Sequence, residues 1–75
     1  MSHYGVVLLH TTSAVMRAEK VLQNNGIAVK LIPTPRQFSS DCGMAVRFGI
    51  QEQERVRALL AQAQVEVAGI HALPG

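Results

Sequence analysis

Apolar and polar positions alternate with different periods along this chain, and each change of period marks an element. Tyr4-Gly5-Val6-Val7-Leu8-Leu9 is a short, nearly continuous apolar run. It predicts a central, buried strand. His10-Thr11-Thr12-Ser13 follows and is rich in helix-starting residues. Ser13 or Thr12 is the expected N-cap, because a hydroxyl can accept from the unpaired N–H groups of the first turn. Ala14, Val15, Ala18, Val21 and Leu22 then recur at helical spacing, with Arg17, Lys20 and Gln23 outside. Asn24-Asn25-Gly26 ends the helix, since Gly26 can take the left-handed conformation that closes one. Ile27 to Ile32 alternates as a half-buried strand and stops at Pro33. Thr34 to Asp41 reads as a loop in which Pro35 can open one helical turn. Gly43 to Phe48 alternates again, with Met44, Val46 and Phe48 on one face and Ala45 and Arg47 on the other. Gly49 breaks it. Gln51 to Ala63 predicts a second helix with Val56, Leu59, Leu60 and Ala63 as its apolar stripe. Glu52 and Glu54 suit the helix dipole there. Val65 to Ala72 predicts a last strand.

The order β-α-β-β-α-β is the split βαβ pattern of ferredoxin-like domains. The fold class expected is α+β: one domain over residues 1–75, an antiparallel four-stranded sheet with both helices on one face. Right-handed crossovers interleave the two halves. The strand that follows Cys42 should then lie between the first and second strands, antiparallel to both. Its beginning meets the end of the first strand. That places Cys42 near His10, Thr11, Thr12 and the start of the first helix. A helix N-terminus carries partial positive charge and unpaired N–H groups, so it favours an anionic sulfur.

Candidate chemistry concentrates between Leu31 and Phe48. This stretch holds the only cysteine, Cys42, two of the three prolines, and an arginine on each side of the thiol, Arg36 and Arg47. Most lone cysteines are small buried hydrophobes. Here the neighbours Ser39, Ser40, Asp41 and Gly43 are polar or small, which argues for a loop edge that a partner can reach. Arg36 shares that loop and can hold an anion. Arg47 lies five residues along an extended strand, about 17 Å away by strand rise, so contact with Cys42 is not expected. Ser39 and Ser40 can donate to an anionic sulfur species, as can the N–H groups around Gly43, Thr12 and Ser13. The bland reading of the serines is local satisfaction of loop backbone. Asp41 opposes an anionic sulfur unless it makes a local turn bond. His10 is the histidine that the topology brings near Cys42, although a strand-end histidine usually meets solvent. His3 and His71 lie towards the other end of the sheet and read as structural.

The run I-P-T-P-R-x-x-S-S-x-C-G-x-A-x-R-F, Ile32 to Phe48, resembles the signature of the selenium/sulfur carrier-like family. The resemblance extends from Tyr4 to Ile70, with the central motif specific and the flanks alike only in pattern. It implies that Cys42 holds a sulfur or selenium atom, as a persulfide or selenosulfide, and passes it between donor and acceptor proteins. Such chemistry needs an exposed nucleophilic thiolate, a small electropositive cradle and a docking surface. It needs no bound cofactor and no deep substrate pocket, which suits a carrier better than a turnover enzyme. The alternative is a non-catalytic, dimeric regulatory or protein-interaction module in which Cys42 is incidental. Gly5 and Ala45, expected on the exposed side of the sheet, would allow pairing there. A thiol oxidoreductase is the weaker third option, because no second cysteine exists to resolve a mixed disulfide.

Composition narrows the frame. A chain of 75 residues buries roughly 60% of its unfolded surface and is only marginally stable alone. One cysteine cannot form an internal disulfide, and no Cys/His cluster has metal spacing. Self-association is the remaining support, so a homo-oligomer is expected. Net charge is +2, and the charges are scattered among carboxylates on the two predicted helices. That describes solvated helix faces, with no stripe for nucleic acid. No apolar run approaches membrane-spanning length and the first residues do not begin a signal peptide. The expected compartment is the cytoplasm, where a thiol stays reduced.

Overall fold

The computed structural model describes residues 3–38 and 42–74. Its elements are β1 (Tyr4–Leu9), α1 (Thr12–Asn24), β2 (Val29–Pro33), β3 (Met44–Gly49), a 3-10 turn (Ile50–Glu52), α2 (Gln53–Gln62) and β4 (Val67–Ala72). The strands form one sheet in the order β2-β3-β1-β4, antiparallel throughout. β3 therefore lies between β1 and β2, as the interleaved topology requires. This is the βαββαβ α+β sandwich that the periodicities predict.

The N-cap is Thr11, not Thr12 or Ser13. Thr11 is extended (φ −138°, ψ 157°), and its hydroxyl accepts from the Ala14 N–H at 3.1 Å. Three hydroxyls stand in a row, so side-chain chemistry cannot choose among them. The choice falls to where the chain leaves β1: His10 alone separates Leu9 from the cap. At the other end Gly26 is left-handed (φ +79°). Its N–H donates to Gln23 at 3.0 Å, and the Ile27 N–H donates to Leu22 at 3.0 Å. These two bonds make a Schellman closure, with buried Ile27 and Leu22 as its apolar contact. α2 closes the same way. The Val65 N–H donates to Leu60 and the Gln64 N–H to Ala61, with Gln64 left-handed at φ 59°. Val65 is spent on this closure, and β4 begins at Val67 rather than Val65.

The arginines of the helices are more than solvated charge. Arg17 of α1 donates to the Ala63 carbonyl at the end of α2, at 2.7 Å. Arg55 of α2 donates to the Asn25 carbonyl at the end of α1, at 3.0 Å. Each helix thus satisfies a terminal carbonyl of the other, where a cation also suits the dipole.

The main core lies between helices and sheet: Val15, Ala18, Leu22, Val56 and Leu60 pack on Val7, Leu9, Val46 and Phe48. The opposite face of the sheet is covered around Val6, Leu8 and Ala45, while Tyr4, Lys30 and His71 on it stay exposed. Val6, Leu8 and Ala45 there are 0%, 4% and 0% exposed, covered by Ile32, Phe38 and Leu73. The expected pairing surface is corrected on both counts. Ala45 is buried under this second cluster. Gly5 pairs with Phe48, and a Cβ on Gly5 would stand 2.4 Å from the Phe48 ring. It therefore belongs to the helix side, and it is glycine because that ring lies across it.

Candidate functional site

β2 and β3 are neighbours joined by one loop, and the loop has a defined neck. Pro33 pairs with Met44 in the ladder, and the Thr34 N–H then donates to the Gly43 carbonyl at 3.0 Å. Pro33 lacks a donor, which suits its place on an edge strand. Gly43 has φ +72° with nothing within 4 Å of a would-be Cβ. Its constraint is conformational: the chain must turn left-handed between Cys42 and β3, and glycine does so without penalty. On the other limb the Phe38 N–H donates to the Pro35 carbonyl at 3.0 Å, closing one turn with Arg36 and Gln37 at its centre. Both side chains of that turn are exposed.

Phe38 is the anchor of the loop. Its ring packs on the cluster of Val6, Leu8 and Ala45. It also stacks on the His71 imidazole, with centroids 4.5 Å apart and planes inclined by 16°. Sequence reading missed Phe38 because a single aromatic residue in a loop carries no periodicity. It also set His71 apart as a structural residue remote from this loop, whereas the stack joins the two. Phe38→Ala should cost about 1–2 kcal/mol, below the roughly 1.5–3 kcal/mol for a fully buried phenylalanine. It should also speed alkylation of Cys42 in the native protein several-fold. Urea unfolding and the rate of iodoacetamide labelling check the two effects; an unchanged labelling rate would show that the ring does not restrain the cysteine limb.

Cys42 sits at the base of the loop, half-buried, and packs against the main core. Its S–H reaches two carbonyl oxygens, Leu9 at 3.3 Å and Met44 at 3.2 Å. A thiol is a weak donor, but these acceptors fix the sulfur beside the last residue of β1. His10 follows Leu9 directly and is exposed. Thr12 and Ser13 are exposed in the first turn of α1. With Thr11 as cap, the Ala14 N–H is taken, and the Thr12 and Ser13 N–H groups have no intrahelical acceptor. The end of β1, the start of α1 and the cysteine limb therefore meet at one end of the sheet.

The other candidates fall out as follows. Ser39, Ser40 and Asp41 lie outside the described residues. Arg36 is at the exposed tip of the Pro35–Phe38 turn, on the cysteine's own loop. Arg47 is elsewhere: its guanidinium lies over the Tyr4 ring at 4.2 Å. Thr34 was not singled out by sequence reading. Its hydroxyl is enclosed at the neck and has no hydrogen-bond partner, a state that buried polar atoms rarely adopt. Among the described residues no group of three His, Cys, Asp or Glu side chains could hold a metal ion. Among the same residues no helix is long and apolar enough to cross a membrane.

The arrangement can present one sulfur at a sheet end, between a helix start and a tethered loop. It offers no second thiol with which to form a disulfide. No curated protein and no solved structure matches the chain. A family does, and its match runs through every element of the fold and through the whole loop that carries Cys42. Residues 4–72 match the family described as "Putative Se/S carrier protein-like", and the chain belongs to that family.

Proposed function

We propose that the protein carries a sulfur or selenium atom on Cys42 and hands it to a partner protein. The observation that supports this most is the position of the thiol: the chain's single cysteine stands half-buried at the foot of a loop, beside the start of α1. In the loading step the Cys42 thiolate attacks the outer sulfur of a donor persulfide. The donor's S–S bond breaks, a new S–S bond forms on Cys42, and the donor leaves as a thiolate. Unloading is the same exchange in reverse onto an acceptor. Neither step is a net oxidation, so a second cysteine is not required. Arg36, Ser39, Ser40, Gly43 and the Thr12 and Ser13 N–H groups are the proposed cradle for the charged cargo. Donor and acceptor proteins are the partners implied. A reducing compartment such as the cytoplasm suits a resting thiol. Self-association belongs to the same proposal, because so short a chain gains from added buried surface.

One observation favours the second reading, an interaction module with an incidental cysteine. The S–H is held by two carbonyls and the side chain touches the core, as a small hydrophobe's would. Loading separates the two. Purified protein is mixed with a low-molecular-weight persulfide and its intact mass is measured before and after a reductant. The expected result is one added sulfur atom on Cys42, removed by the reductant. A thiol that takes up no sulfur and labels only after denaturation would leave the interaction module in front.

A further inference from the structure

The far end of the sheet holds a second polar feature that the carrier chemistry does not use. Lys30 of β2 and Arg47 of β3 are register partners, so their side chains stand next to each other on one face of the sheet. Two like charges directly opposite each other on neighbouring strands are unfavourable. Neither has a carboxylate partner among the described residues. Glu52 lines the same cleft as these two residues, and its Oε2 accepts from Arg55 at 2.7 Å. Arg47 is further fixed by lying over the Tyr4 ring at 4.2 Å. Stacking uses the flat face of the guanidinium and leaves its N–H edge available for an oxyanion. Lys30, Arg47 and Tyr4 border an open cleft of ≈ 600 Å³, which runs from the α1–β2 turn to the 3-10 turn before α2.

We propose that this cleft is a binding site for a phosphate-type dianion, a phosphate monoester or inorganic phosphate. Two adjacent monovalent cations match its charge, which is about −1.5 to −2 at neutral pH. Arg47 supplies a fork of parallel donors, Lys30 a mobile point charge. The anion removes the repulsion that the empty pair carries. The site is about 17 Å from Cys42 by strand rise and does not depend on what the cysteine does.

The test uses the full chain and inorganic phosphate. Thermal unfolding is followed in chloride buffer, then with phosphate or acetate added at matched ionic strength. Amide shifts are followed by NMR over the same titration. Phosphate should raise Tm by several degrees in a saturable manner, with acetate giving little. The amides of Lys30, Arg47 and Gly49 should shift along one binding curve. Lys30→Gln should abolish the phosphate response while matching or exceeding the wild-type Tm in chloride alone, because it relieves the like-charge pair. Arg47→Lys, which keeps charge but loses the fork, should weaken the response and not remove it. An equal rise with acetate, or a Lys30→Gln protein that still responds to phosphate, would overturn the site.

Discussion

Truncating Phe48 to alanine is expected to leave most of the protein unfolded at 37 °C. Phe48 is 1% exposed and is among the largest side chains fully enclosed. Large-to-small changes of this kind cost about 3–5 kcal/mol, and a single core in so small a domain rarely supplies more than that. The position has no slack. Phe48 is paired on one side with Gly5 and on the other with Val29, and its ring fills the space a Gly5 side chain would take. Gly5→Ala should therefore also destabilise, through the same ring. The two are coupled. Gly5→Ala should do less harm when Phe48 has already been shortened to leucine, a non-additivity that a double-mutant cycle reads directly. Urea midpoints of the four proteins check it; strict additivity would mean that the ring can move aside.

Cys42→Ser should do the opposite: keep the fold and abolish cargo loading. The serine hydroxyl is smaller but can donate to the same Leu9 and Met44 carbonyls that hold the thiol. The unfolding midpoint should change little. No persulfide can form on oxygen, so the added mass should vanish entirely, and with it any transfer to an acceptor. Sulfur uptake that persists in Cys42→Ser would place the cargo off the cysteine and remove the proposed mechanism.

The two periods of apolar spacing were enough to order the strands and helices, because tertiary burial and local pattern agree at nearly every position of β1, β3 and α1. The place of Cys42 beside the end of β1 followed from topology alone. What the pattern could not reveal depends on particular long-range meetings. Thr11 rather than Thr12 or Ser13 caps α1 because of where β1 stops. Gln64 takes a left-handed turn with no glycine to announce it. Phe38 and Leu73 cover Val6, Leu8 and Ala45 from outside the predicted strands and helices. The sharpest misreading was the face of Gly5. Strand alternation alone says which residues share a side, and Phe48 across the ladder shows which side that is.

The hydrogen bond from the Leu73 N–H to the Tyr4 carbonyl, 2.9 Å, has a practical side. It sets the start of β1 and the end of β4 next to each other, while the Leu9 carbonyl that meets Cys42 marks the opposite end of β1. They stand at the two ends of a six-residue strand, about 17 Å apart by strand rise. A domain fused at either end, or at both, would hang from the pole away from the sulfur. The unit can be inserted into a loop of another protein or circularly permuted through a short bridge, with the junctions at the end of β1 away from Cys42.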